Sequence, residues 1–354
     1  MPSIRLLIIL LLAGPCLAQP TITMVDGNLH PDCILVIHGS GFGDKDPAAP
    51  LLVDRLTDVP AYLDRVLTEG DTIPSQADGC LDCPWWSTTY QDMAVQYSTD
   101  DPRYPGGAAY RANGRGSLAL MDLGSSQPER LVINWWARTS QELEPLAGAK
   151  LIRVWANDDS ADGAVTWSPT YLRSTTDQDH DGLPESASMS YASWTGQPDT
   201  WVNLELRIDS RHQVDLGYGQ VEARVNGAVI HQAECWAREP LNSVRALGLN
   251  LPDSDPAMAP VFDWTDIYID TTLARVLISD APTLDSATRI ELQIPDEWQS
   301  DRIRIATRLG SFEAWEEVYL FVVDAEGQAS SGWLAAIGDD DSPGVPGVPS
   351  VWFE

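Results

Sequence analysis

An all-β protein, sandwich or jelly roll, is the class this 354-residue sequence predicts, and three observations carry it. Three stretches alternate aliphatic residues with polar or aromatic ones, the period-two pattern of a strand with one face in a core. Short runs of this kind are separated along the whole chain by Gly, Pro, Asn and Asp turns. No amphipathic helix longer than about ten residues is legible, and Val59 to Leu67 is the best short candidate.

Residues 1–18 read as an export signal: Arg5 is a short basic start, Leu6 to Ala13 an apolar run, and Ala18 a small residue before cleavage at Gln19. The run is too short to span a membrane, and no later segment approaches the ~20 apolar residues of a transmembrane helix. The mature chain is therefore expected to be soluble and secreted or periplasmic, without membrane insertion. Removal of Cys16 with the signal leaves Cys33, Cys80, Cys83 and Cys235. In an oxidising compartment these allow up to two disulfides, in any of three connectivities. Cys80-x-x-Cys83 is either a local disulfide or a redox motif, and the thioredoxin-like βαβ context of a redox motif is missing.

Ile34 to Gly43 is an apolar strand running into a glycine-rich turn. Leu131 to Arg138 is the first alternating stretch, with Asn134, Trp136 and Arg138 on its polar side. Lys150 to Asn157 is the second, opposing Ile152, Val154 and Ala156 to Arg153, Trp155 and Asn157. In the third, Val202, Leu204, Leu206 and Ile208 oppose Trp201, Asn203, Glu205 and Arg207. Glu222 and Arg224, within Gly219 to Gly227, have the matching parity. An ordinary solvated sheet face favours Lys, Thr, Ser and Glu. A face of Trp, Arg, Asn and Glu suits a sugar-binding groove, because aromatic planes stack on pyranose rings while guanidinium and amide groups fix hydroxyls and carboxylates.

Between the second and third stretches lies Asp177-Gln-Asp-His-Asp-Gly-Leu-Pro-Glu185. Asp177, Asp179 and Asp181 alternate as oxygen ligands, Gly182 permits a tight turn, and the Leu183 carbonyl and Glu185 side chain follow at EF-hand spacing, which makes Ca2+ the implied ion. The bidentate Glu of an EF-hand is absent, since Ser188 stands at its position. The segment is similar to the short acidic repeats of thrombospondin type 3 and dockerin modules; a solvated acidic hairpin tip is the alternative.

The formal net charge is -30, and Lys45 and Lys150 are the only lysines. Such a surface repels nucleic acid and anionic membranes, and is compatible with a saline habitat or with calcium binding. Against it, arginines on the alternating strands are expected to have a task, unless they simply pair with Glu205 or Glu222.

Ile37-His-Gly-Ser-Gly-Phe-Gly43 resembles the strand-and-turn segment of immunoglobulin-like IPT/TIG domains. The rest of such a domain does not follow directly; strands matching it come after residue 271, at 274–278, 289–295, 302–307 and 318–324. This organisation implies one Ig-like domain of residues 19–54 plus 271–337, with a larger domain of 55–270 inserted into it and a disordered Asp-, Pro- and Gly-rich tail at 338–354; two tandem units are the alternative. The inserted part resembles the concanavalin A-like (LamG-type) jelly roll over about 200 residues. Trp201-Val-Asn-Leu-Glu-Leu, the strand ending in Val225-Asn-Gly227, and Asp263-Trp-Thr-Asp-Ile-Tyr-Ile-Asp270 carry the resemblance, with Trp264 and Thr265 departing from the family's paired acidic residues.

That resemblance implies a groove shared by Asn134, Trp136, Arg138, Arg153, Trp155, Trp201, Asn203, Glu205, Arg207 and Arg224 across one concave sheet. Polysaccharide or a cell-surface glycan is the expected partner; the oligomeric state is not legible. The fold also hosts hydrolases, lyases and inert adhesion modules. The E-x-D-x-x-E strand of jelly-roll glucanases is absent. Arg138, Arg153, Arg207, Asn134 and Asn203 suit the uronate-neutralising role of a polysaccharide lyase, with His212, His231, Tyr171 and Tyr191 as candidate bases. In a third reading the Trp face is covered, by the Ig-like domain or by the loop over 70–110, and serves as a structural interface.

Overall fold

The computed structural model describes residues 19–90, 93–123, 128–143, 149–156, 164–176, 186–192, 197–210, 219–235, 241–250, 260–313 and 315–338. It is an all-β sandwich architecture, as the alternation predicts. In chain order, β1 (Thr21–Asp26) and β2 (Ile34–Ser40) precede β3 (Leu52–Asp54), and the candidate helix reduces to a single turn, α1 (Pro60–Leu63). Short strands follow: β4 (Thr89–Tyr90), β5 (Met93–Ala94), β6 (Gln96–Ser98), β7 (Ala109–Asn113) and β8 (Arg115–Leu120). The central strands are β9 (Arg130–Thr139), β10 (Ile152–Ala156), β11 (Val165–Ser168), β12 (Tyr171–Thr176), β13 (Ser186–Tyr191), β14 (Val202–Asp209), β15 (Gly219–Val225), β16 (Ala228–Cys235), β17 (Leu241–Asn250) and β18 (Val261–Asp270). β19 (Arg275–Ser279), β20 (Ile290–Trp298), β21 (Arg302–Ala306), β22 (Glu317–Val323) and β23 (Trp333–Ala336) complete the chain.

Strands from both ends of the chain build one seven-stranded sheet, in the order β1-β2-β21-β20-β19-β22-β23. β20 passes from one half to the other, pairing β19 through Gln293 and β21 from Ile294, with a bulge after Pro295. The sheet curls around its own core of Ile37, Val276, Ile278, Ile303, Ile305, Leu320 and Val322. The described strands between 52 and 270 form two large sheets, eight-stranded, β16-β15-β14-β9-β18-β7-β6 with β3 added to β18, and six-stranded, β13-β12-β11-β10-β17-β8, beside a two-stranded ribbon of β4 and β5.

These two pack face to face. Ile133 and Trp135 of β9 and Leu204, Leu206 and Ile208 of β14 meet Ile152, Val154, Val165 and Trp167 from the other side, all fully buried. Trp135 and Trp167 touch edge-on with ring centroids 5.7 Å apart, and burial of such side chains is worth several kcal/mol each. The hairpin β15–β16 turns on Asn226 and Gly227, both at positive φ (48° and 79°), as a two-residue primed turn demands. No described helix is long and apolar enough to cross a membrane.

Candidate functional site

The outer face of the eight-stranded sheet gathers most of the residues singled out above. Register places Asn203 opposite Trp136 and Glu205 opposite Asn134 between β14 and β9, and Glu205 opposite Arg224 and Arg207 opposite Glu222 between β14 and β15. Asn134 and Asn203 exchange amide hydrogen bonds of 3.0 and 2.9 Å. The Glu205 carboxylate accepts from Asn134 at 3.3 Å, from Arg275 of β19 at 3.1 Å and from Arg207. Burial alone would raise the Glu205 carboxyl, but Arg207, Arg275 and Arg224 outweigh it and hold it at about 2.

Beside this cluster the Arg103 guanidinium lies 3.8 Å from the Trp136 ring centroid and bridges Asp266 to Glu291 of β20. Asp266 stands at a bulge in β18 with φ 51°, so the strand turns an additional carboxylate outward. There it also accepts from Arg55 and from Tyr104 at 3.0 Å. Lys45 pairs with Asp270, the last residue of β18, at 2.6 Å. Burial pushes the Lys45 amine down and the Asp270 carboxyl up, each only partly offset by the other.

The consequence is cover rather than an open groove. Asn134, Trp136, Asn203 and Glu205 are 3%, 6%, 3% and 6% exposed. What covers them is the seven-stranded sheet, through Arg275 and Glu291, together with the Arg103 loop. The gap left at this joint, lined by Arg55, Trp136, Tyr268, Glu291 and Arg308, has room for water but not for a sugar ring. Further along β9, Arg138 is committed to Asp263 at 2.7 Å and Asp101 at 3.1 Å, and its guanidinium lies 5.6 Å from the Trp201 ring. Glu205 and Glu222 do not form an acid–base pair: each is taken by the arginine two residues on along its own strand, Arg207 and Arg224.

Arg153 and Trp155 are not part of this constellation. β10 pairs with β11 and β17, so both side chains point outward from the six-stranded sheet, on the far side of the sandwich from Trp136. The shared ten-residue groove is therefore not formed: alternation marks a core face and an outer face, and either sheet of a sandwich satisfies it. The second outer face has its own content. Arg153 aligns with Thr166 and Arg173, Trp155 aligns with Ser243, and Tyr171 aligns with Tyr191. Tyr191 is 75% exposed, Arg245 is exposed, and Arg153, Trp155, Tyr171 and Arg173 are half-buried. Arg245, which lies outside the three alternating stretches, has its guanidinium 4.7 Å from the Trp155 ring centroid. Ser243 and Arg245 alternate on β17 as Arg153 and Trp155 do on β10, and that spacing is the signal by which it is found. Four strand steps separate β17 from β13, about 19 Å of surface.

Asp177, Asp179, Asp181, Leu183 and Glu185, with Asn157 and His212, lie outside the described residues. His231 points inward, 1% exposed, with Nδ1 3.3 Å from Ser190 Oγ; burial lowers its pKa, and it faces no groove. Cys80 and Cys83 form a disulfide. Cys33 precedes β2 and Cys235 ends β16, in different sheets.

No protein-family model matches the chain, and no curated protein does. Among solved structures it is similar to domain 4 of AbnA, a GH43 extracellular arabinanase from Geobacillus stearothermophilus, in complex with arabinotriose. That likeness has 16% identity over 49% of this chain and 74% of that chain, with a TM-score of 0.27. A second is the binding domain of botulinum neurotoxin DC in complex with SialylT, at 10% identity over 77% and 72%, TM-score 0.31. A third is the binding domain of Paraclostridial Mosquitocidal Protein 1, at 10% identity over 73% and 64%, TM-score 0.35.

Proposed function

We propose that the chain is a secreted or periplasmic glycan-binding protein whose sugar face is the outer surface of the six-stranded sheet. In this reading the Trp136–Glu205 face is the joint by which an Ig-like host domain holds an inserted jelly roll. One observation carries the proposal: Trp155 and Arg153 stand apart from the covered joint, on a face where a half-buried indole lies among guanidinium groups and tyrosines. Indole and phenol planes supply stacking surface for pyranose rings, and arginines supply directed donors to their oxygens. The acidic segment from Asp177 to Glu185 has a donor set of hard oxygens, which suits Ca2+. The ion's part in this reading is to stabilise the loop, not to act on a ligand.

Affinity electrophoresis through gels containing neutral or acidic glycans tests the proposal. Wild type and Trp136→Ala should be retarded alike by a recognised glycan, and Trp155→Ala should run as in an empty gel. Retardation of Trp155→Ala equal to wild type would move the ligand off this face. The presence of Tyr171 beside Arg153 and Arg173 on the same surface also favours a second reading, a lyase whose base and uronate-neutralising cations lie there. Incubation with uronate polysaccharides, followed for the ultraviolet absorbance of a new C=C bond, separates the two; no signal at any pH or calcium level removes the lyase.

A further inference from the structure

Cations are scarce in this protein: 22 Lys and Arg stand against 52 Asp and Glu. On the eight-stranded sheet and its joint they are spent on carboxylates. Arg111 and Arg138 pair with Asp263, Arg207 and Arg275 with Glu205, and Arg224 with Glu222. Arg153 and Arg245 differ. Neither has a carboxylate within ion-pair distance among the described residues, and the Arg153 Nε and Trp155 Nε1 are buried without a hydrogen-bond partner.

These two arginines sit on neighbouring strands about one indole. Arg153 is two residues before Trp155 on the same face, and Arg245 stacks on its ring. Ser243, directly opposite Trp155, accepts a 3.0 Å hydrogen bond from Arg245 Nε. That contact holds the guanidinium of the exposed Arg245 in place through Nε. Two like charges on one face, with no carboxylate at ion-pair distance of either among the described residues, repel each other, and an anion seated between them relieves that repulsion.

We infer that Arg153 and Arg245 flank a subsite for an anionic sugar unit, a carboxylate or a sulfate ester carried on a polysaccharide, with Trp155 as its floor. The inference rests on the glycan-binding reading above and names the ligand class for the same face. Guanidinium forks pair bidentately with planar carboxylates and with sulfate oxygens, so an anionic unit gains directed bonds that a neutral one lacks.

A distinctive salt dependence follows. At long range the net charge of -30 repels any polyanion, and that repulsion is screened as the Debye length falls from ~30 Å at 0.01 M salt to ~10 Å at 0.1 M. The guanidinium contacts act at hydrogen-bond range, well inside a Debye length, and are screened much less. Affinity for a charged polymer should therefore rise with added salt over this range, the reverse of a basic polyanion-binding surface.

Two matched pairs of polymers test the inference: polygalacturonate against its methyl ester, and dextran sulfate against dextran. The wild type should bind at least one charged member about tenfold tighter than its neutral counterpart, as charge-assisted hydrogen bonds imply. Its binding should strengthen between 0.01 M and 0.1 M salt. Arg153→Gln and Arg245→Gln should each abolish that preference with melting temperature unchanged. Which charged polymer binds distinguishes carboxylate from sulfate. Equal binding of charged and neutral members, or a preference that survives both substitutions, overturns the anionic subsite while leaving glycan binding intact. Binding of none of the four polymers overturns the glycan reading itself.

Discussion

Replacing Glu205 by Gln keeps the shape of a side chain at the centre of the joint and removes its charge. The carboxyl is held at about 2 in the folded protein against an ordinary 4.5, because Arg207, Arg275 and Arg224 outweigh the cost of burial. At ~1.4 kcal/mol per tenfold change in acidity, the ionised form contributes about 3 kcal/mol to folding. The folded value is depressed, so the unfolded chain takes up the proton first. The contribution is complete above 4.5 and disappears as pH falls towards 2. Glu205→Gln should therefore lose about 3 kcal/mol at neutral pH. It should lose somewhat more because Arg275, 0% exposed, is left without its counter-charge. Urea unfolding followed by tryptophan fluorescence, at neutral pH and again near pH 3, measures the gap. Wild type and variant share every other carboxylate, so their difference isolates this one. Equal stability at neutral pH would remove Glu205 from the energetics of the joint. A gap that stays constant at pH 3 would assign the loss to packing instead of charge.

Three further outcomes are expected. Burial raises the Asp54 carboxyl to about 6, against hydrogen bonds from Tyr110 and from Trp85 at 2.5 Å. Its folded value lies above the ordinary 3.8, so stability is lost as pH rises through that window. Asp54→Asn should gain about 3 kcal/mol on the wild type between those limits, read as diverging melting curves; parallel curves would refute it. Gly227 has φ 79°, and a Cβ there would lie 2.9 Å from the carbonyl oxygen of Leu284, between β19 and β20. Gly227→Ala should accordingly cost on the order of 1–3 kcal/mol in thermal unfolding, and an unchanged melting temperature would show the turn to be free of the joint. Calcium should raise the melting temperature of the wild type in a chelator-reversible way, with no shift in Asp179→Ala; equal shifts in both would place the ion elsewhere.

Strands were legible because each keeps one face in a core: β9, β10 and β14 fall within a residue or two of the alternation that predicts them. The covered joint had no local signal. Arg275 reaches Glu205 across 70 residues of sequence, and Arg103 reaches Asp266 across 163, separations over which periodicity carries no information. The bulge that aims Asp266 outward is equally silent, since it adds one residue without altering composition. Sheet membership was the other gap, and it decides the site. The plain expectation for the arginines was pairing with Glu205 or Glu222. It holds for Arg207 and Arg224, each of which pairs with the carboxylate two residues before it on its own strand, Glu205 and Glu222. For Arg153 the residue opposite on β11 is Thr166, and Trp155 faces Ser243 on β17. Residue type made all these arginines look alike. The sheet each belongs to separates the arginines paired with carboxylates at the joint from Arg153 and Arg245, which have no carboxylate at ion-pair distance among the described residues.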